Sequence, residues 1–148
     1  IDHDGVWHYR GTPINRPQLV KLFASVLRRD TEGQHWLITP AEIAPVSVED
    51  TPFVVVGMEV EGTGHNQVID LRTNIDTCVG LDRDHPLLLN ADSIPYVTLD
   101  GGLEAKLNRP VYYDVVSLGV EEKRKGAHIL GIWSGGVFHH LGSVDDEA

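Results

Sequence analysis

The side chains best suited to holding a ligand are Thr-Asn at 73–74 and Asp-His-Pro at 84–86. Asn74 offers both a donor and an acceptor, and His85 changes protonation near neutral pH, so together they could orient a polar ligand. The competing interpretation is a turn, in which the Asp84 carboxylate accepts backbone N–H bonds and the proline fixes the exit direction. Thr73, Asn74, Asp84 and His85 are therefore predicted ligand-binding residues.

Nucleophilic catalysis is the alternative chemistry. The single cysteine, Cys78, lies close in sequence to Asp84 and His85, which permits a hydrolase-like enzyme that uses His85 with Asp84 or Cys78. A lone cysteine is more often a small buried hydrophobe, and nothing beside Cys78 is typical of an oxyanion turn. Ser134 does not match a nucleophile elbow, because Ile132 stands where that motif has glycine. We predict no catalytic residue and no enzymatic activity.

The eight histidines do not form a metal-binding pattern. No pair has the i, i+4 helical spacing of a zinc protease motif, and no thiolates accompany them. His139 and His140 are adjacent on a predicted strand, so their side chains face opposite sides of it. The sequence therefore predicts no metal site and no cofactor.

Two arginines and a tryptophan complete the predicted ligand-binding set. Arg16 and Arg109 each lie in an Asn-Arg-Pro tripeptide, and a guanidinium presents a planar fork of donors to an anion. Solvent exposure or a structural ion pair is the competing role of each arginine. Trp133 stands near two glycines and is expected to be partly open, although tryptophans are more often core anchors.

The repeated tripeptide belongs to a longer repeat. Residues 14–39 match residues 107–132 at six of 26 positions without a gap, where chance gives roughly one or two. Both copies have apolar residues at helix spacing, continuing to Leu27 in the first and Val120 in the second. Asn15 and Asn108 are predicted N-caps, followed by a proline in the first turn. The unit indicated is strand, helix, strand, present twice by duplication.

Strand patterns fill most of the remaining chain. Short turns, such as 62–66 and 135–136, join consecutive strands and are too short for parallel crossovers, so the sheets are expected to be mostly antiparallel. This is an α+β protein. We predict an N-terminal repeat domain at 1–79 and a C-terminal repeat domain at 80–148, with a ligand site at their interface.

Composition limits the partners. A net charge of −10 opposes binding to nucleic acid. No apolar run is long enough to cross a bilayer, and a single cysteine indicates a reducing compartment, so a cytoplasmic location without membrane attachment is expected.

The order of several motifs resembles the bacterial family grouped as domain of unknown function 1285. They are RGTPINRPQLVKLFASVLRRD, WLITP, VEDTPF, TN at 73–74, DHPL at 84–87, GGLEAKLNRPVYY and GIWSGG. The resemblance implies a duplicated α+β core whose C-terminal part is loosely pleckstrin-homology-like. It also implies a binding role in bacterial signalling, and a further segment before the part that matches Asp4, Gly5 and Trp7.

The function expected is thus a non-catalytic module that binds a small polar ligand or a peptide or protein partner between the two repeats. A purely structural subunit that forms homo-oligomers is a further alternative, and it predicts a large apolar surface buried between chains.

Overall fold

The computed structural model describes residues 1–143. Its helices are α1 (Pro17–Ser25) and α2 (Arg109–Ser117), and short 3-10 turns occur at Gly64–Asn66 and Asp100–Gly102. The strands are β1 (His8–Tyr9), β2 (Thr12–Pro13), β3 (Leu27–Arg29), β4 (His35–Ile38), β5 (Ile43–Val46), β6 (Phe53–Glu61), β7 (Val68–Thr73), β8 (Cys78–Gly80), β9 (Leu87–Leu89), β10 (Pro95–Thr98), β11 (Glu104–Leu107), β12 (Val120–Arg124), β13 (Ala127–Ser134) and β14 (Val137–Ser143).

A six-stranded sheet forms the centre of the fold, in the order β8-β7-β6-β11-β10-β9. Every neighbouring pair in it is antiparallel except β6 and β11, which are parallel. In β7 the side chains alternate, with Ile69, Leu71 and Thr73 buried and Val68 and Arg72 exposed, as expected when one face of a strand packs on a core. The predicted α+β class with mostly antiparallel sheets is confirmed.

Each helix leads into a small antiparallel sheet of three strands. α1 is followed by β3, β4 and β5, and α2 is followed by β12, β13 and β14. The core is continuous across these units and includes Leu27, Val55, Val97, Val115 and Ile132, all fully buried. The fold is thus made mostly of strands joined by short turns, and each of its two helices in residues 1–143 precedes a three-stranded sheet.

The helix pattern was extended too far in both copies. α1 ends at Ser25, Val26 is its C-cap, and Leu27 pairs with Leu37 as the first residue of β3. Val120 likewise begins β12 instead of continuing α2. A leucine or valine suits both a last helical turn and a first strand residue, so apolar spacing alone cannot separate them.

The predicted N-cap at Asn15 is also wrong. Arg16 is the N-cap of α1 and makes no side-chain capping bond, whereas Asn108 does cap α2 through its side chain. Pro17 occupies the first helical turn as expected, because a proline there lacks only an N–H that would have no helical partner. Neither helix in the described part of the chain has the length and apolar character needed to cross a membrane.

Candidate functional site

An open groove of about 880 Å³ lies between the N-terminal segment and the start of α2. Its floor is formed by β6, β10 and β11, and its rim carries charged residues and two tyrosines. The lining residues are His3, Asp4, Val54, Val56, Ile94, Pro95, Lys106, Leu107, Asn108, Arg109, Tyr112 and Tyr113. A cavity of this size, apolar below and polar at the edge, has the general form of a small-molecule site.

The α2 side of the groove is positioned by Asn108. Its backbone N–H donates to Val55 O on β6 at 3.1 Å, and its Oδ1 accepts from Val111 N at 3.0 Å. The first bond ties Asn108, and with it the start of α2, to β6 of the central sheet, and the second caps the helix. Arg109, Tyr112 and Tyr113 therefore project from a helix start that is fixed at both its backbone and its cap.

Lys106 forms part of the opposite rim. Its Nζ lies 2.8 Å from Asp50 Oδ2, and its backbone N–H donates to Thr51 Oγ1 at 3.2 Å. The Lys106 side chain as a whole is 19% exposed. Asp50 thus holds Lys106 in place and compensates its charge.

The N-terminal segment closes the groove through contacts with the chain 46 residues further on. His3 N donates to Glu49 Oε2 at 2.9 Å, and the imidazole lies 3.3 Å from the same carboxylate and 3.4 Å from Asp4. Asp2 folds this segment back by accepting bonds from Val6 N and the His8 ring. The His8 bond is the main reason that the pKa of Asp2 falls to about 2.

Of the predicted site residues, Arg109 lines this groove and Asn74 lines a second cleft of about 330 Å³. Asn74 Oδ1 accepts from Val54 N, and its Nδ2 donates to Gly5 O at 3.2 Å. Gly5 has a φ of +80°, and a Cβ there would lie 2.9 Å from Asn74 Nδ2, so glycine is needed for this approach. The Asn74 amide thus joins the N-terminal segment to β6.

Thr73 is 1% exposed, and its hydroxyl pairs with Thr77 Oγ1 at 2.7 Å and accepts from Thr77 N. These bonds close the turn between β7 and β8. The Thr73 hydroxyl is therefore occupied within that turn.

His85 lies between two carboxylates. Its Nε2 is 2.8 Å from Asp100 Oδ1, and its Nδ1 is 3.1 Å from Asp82 Oδ1. The bond to Asp100 is the main cause that raises the pKa of His85. Asp84 is exposed, and its backbone N–H donates to the Asp82 carboxylate, as does that of His85. The segment is therefore a turn, but the carboxylate that accepts its backbone N–H bonds is that of Asp82 and not, as expected, that of Asp84. Cys78 is exposed on β8, so its interpretation as a buried hydrophobe is wrong.

Trp133 belongs to an aromatic cluster on the outer sheet β12-β13-β14. The indole N–H donates to Glu122 Oε2 at 2.6 Å, and the ring stacks on His65 with centroids 4.2 Å apart. The bond from Trp133 is the main cause that lowers the pKa of Glu122. Trp133 is half-buried, and its polar atom already has a partner in this cluster.

The predicted set is therefore distributed over several places. Arg16 is exposed at the N-cap of α1, whereas Arg109 alone of the set lines the 880 Å³ groove. Sequence reasoning missed His3, Lys106, Tyr112 and Tyr113. Three of these stand within four residues of Arg109, so the stretch around the second tripeptide was the available signal. No sequence signal indicated His3, because its position depends on a contact with Glu49, 46 residues further along the chain.

Within residues 1–143, no three His, Cys, Asp or Glu side chains are grouped so as to hold a metal ion.

Fold and groove together define a small α+β protein, built mostly of strands, with an open cavity between its N-terminal segment and its second helix. The chain belongs to the DUF1285 family. The family's N-terminal domain model matches residues 1–51, and its C-terminal domain model, that of a protein of unknown function, matches residues 52–141.

Two solved structures of this family are similar to the chain. The protein from Silicibacter pomeroyi DSS-3 is 36% identical with a TM-score of 0.88, over 99% of this chain and 80% of that one. The protein from Shewanella baltica OS155 is 33% identical with a TM-score of 0.64, over 79% of this chain and 88% of that one. No curated protein matches the chain.

The family models divide the chain between residues 51 and 52, and the groove takes His3 and Asp4 from the first part and its other lining residues from the second. The predicted division at 79/80 falls inside β8, in a sheet that contains strands from both predicted halves. That division stays a prediction.

Proposed function

We propose that this protein is a non-catalytic binding module, and that the groove beside α2 holds a small polar ligand or a peptide. The observation that supports this best is the groove itself, with a cavity of about 880 Å³, an apolar floor and a rim with several polar side chains. Pockets that bind small molecules are mostly apolar with a few placed polar groups.

The geometry of His85 favours binding over the hydrolase-like alternative. Both ring nitrogens are within hydrogen-bond distance of carboxylates, those of Asp82 and Asp100. An imidazole held in this way is stabilised as the doubly protonated form and has no free nitrogen to accept a proton from a nucleophile. The proposal therefore assigns His85 to the structure of its turn.

We further propose that the two halves arose by duplication. Support comes from the order of elements, since each helix starts within an Asn-Arg-Pro tripeptide and leads into three antiparallel strands. The pairing differs by one residue, because Leu27 faces Leu37 whereas Val120 faces Gly131. The loose likeness of the C-terminal half to pleckstrin-homology domains and a role in bacterial signalling are parts of the same proposal and rest on the family resemblance. A cytoplasmic location is also part of it and rests on the single cysteine and the lack of a long apolar run.

The test is a thermal-shift screen with metabolites and short peptides. A ligand at 100 times its Kd adds about 2.7 kcal/mol of stability, which corresponds to a rise in Tm of about 5 to 10 °C for a protein of this size. The screen is repeated with Val56→Trp, which fills the groove from β6, and with Val68→Trp, a matched control on β7 outside the groove.

Ligands that stabilise the wild type and Val68→Trp but not Val56→Trp would support the groove as the site. Equal stabilisation of all three proteins, or no stabilisation by any compound, would contradict the proposal. Circular dichroism of both variants checks that each is folded.

A further inference from the structure

The charged side chains around the groove differ in whether residues 1–143 supply them with a partner, and this points to the class of ligand. Lys106 is compensated by Asp50 at 2.8 Å, and Asp4 lies 3.4 Å from His3. Arg109 is exposed at the first position of α2, and within residues 1–143 its guanidinium has neither an ion pair nor a hydrogen bond. A guanidinium on a fixed helix start can bind a carboxylate through two parallel hydrogen bonds.

The floor of the groove beside Arg109 includes apolar side chains that are open to solvent. Ile94 is 38% exposed and Val56 is half-buried, and both line the cavity. Tyr112 and Tyr113 stand on the helix side with ring centroids 5.9 Å apart. A ligand that only met Arg109 would leave this floor wet, so the complementary molecule has an apolar or aromatic body as well as its charged end.

The charge of the whole chain limits how many anionic groups the ligand can carry. The net charge is −10, so the long-range field repels polyanions, and a single guanidinium cannot neutralise several phosphates. One carboxylate, met at short range by Arg109, is compatible with this field.

Resting on the proposed function, we infer that the groove binds an amphipathic monocarboxylate, with its carboxylate on Arg109 and its apolar body over Val56 and Ile94. The Arg109 guanidinium then supplies orientation, and the apolar side chains of the groove supply contact surface.

The experiment uses a matched pair of probes, 4-phenylbutyrate and its uncharged amide, 4-phenylbutyramide. Each is titrated into the 15N-labelled full chain, and the backbone and arginine side-chain NMR signals give Kd and location. We expect saturable shifts at Arg109, Tyr112 and Tyr113, with the acid binding about tenfold more tightly than the amide, since a charge-assisted bond exceeds a neutral one.

Two variants separate the role of Arg109 from a general effect of charge. Arg109→Gln should reduce the acid to the affinity of the amide, and it should fold normally because the side chain is exposed. Arg16→Gln is the control, since it removes the same charge from the other Asn-Arg-Pro tripeptide, and it should keep the tenfold preference.

Equal binding of acid and amide at the groove would overturn the carboxylate class while leaving the groove as a binding site. A preference that survives in Arg109→Gln would overturn the assignment to this residue. If neither probe saturates, the inference is also overturned, and the screen with Val56→Trp decides separately whether the groove binds any ligand.

Discussion

The same tripeptide, Asn-Arg-Pro, begins two helices that differ in how they are held. At α2 the asparagine caps the helix, and Val111 and Val115 are buried. At α1 the capping position has shifted to Arg16, no side chain caps the helix, and Ala24 is its buried residue. The helix that helps to line the groove is thus the one fixed by a side-chain cap and by two buried valines.

For the strands that follow the helices, the first residue is better buried in the N-terminal unit than in the C-terminal unit. Leu27, at the start of β3, is fully buried, whereas its counterpart 93 residues later, Val120, is 44% exposed at the start of β12. The N-terminal unit is therefore anchored mainly after its helix, and the C-terminal unit mainly within its helix. Equivalent positions of the two units need not contribute equally to the free energy of unfolding, because the burial of each side chain depends on the residues that pack against it.

The largest effect is expected from Leu27→Ala. Removing a fully buried leucine side chain should cost about 3 kcal/mol of unfolding free energy, because it removes apolar contacts and leaves a cavity. Val120→Ala, at the matching position, should cost less than about 0.5 kcal/mol because its side chain is partly in solvent. Urea unfolding followed by circular dichroism measures both values. Similar losses for the two variants would contradict the difference in anchoring.

Much of the strand content could be predicted from the sequence, because it depends on local alternation and turns. The predicted turns at 62–66 and 135–136 do join neighbouring antiparallel strands. β11 was missed, since its pattern is short and its place is set by pairing with β6, a strand some 50 residues earlier. The parallel pairing of β6 with β11 depends on this long-range contact, so no local sequence pattern predicts it.

The groove could be predicted only in part. Arg109 and Arg16 were both predicted as ligand-binding residues because each lies in an Asn-Arg-Pro tripeptide. The repeat itself does not indicate which of the two lines a groove. The difference arises from surroundings: Asp50 and Lys106 pair beside Arg109, and the N-terminal segment folds over the same cavity. Asp50 and the N-terminal segment are distant in sequence from Arg109, so no pattern around residue 109 contains them.

A smaller effect should separate the two asparagines. Asn108→Ala removes the acceptor of Val111 N and should lower stability by about 1 kcal/mol. Asn15→Ala should change stability by a few tenths of a kcal/mol at most, since α1 has no side-chain cap to lose. Thermal unfolding of both variants compares them, and Asn108→Asp, which keeps an acceptor, serves as the control. A loss at Asn15 equal to that at Asn108 would mean that the two helix starts are held alike.

The last difference concerns two histidines, His35 and His128, which also lie 93 residues apart. His35 is buried, its Nε2 lacks a partner within residues 1–143, and burial, together with the charge of Arg29, lowers its pKa. The unfolded chain, where such a histidine titrates near 6.5, then binds more protons than the folded protein. The stability contributed by neutral His35 is therefore present above pH 6.5 and is lost as the pH falls.

Urea unfolding between pH 8 and pH 5 measures this dependence. His35→Gln should flatten the fall in stability below about pH 6.5, because the variant has no group there to protonate. Some acid sensitivity should remain, since burial also lowers the pKa of His139, which donates to Ser134 O and accepts from Leu87 N. His128, at the matching position, is exposed. If His35→Gln gave the same pH dependence of the unfolding free energy as the wild type, burial of His35 would make no pH-dependent contribution to stability.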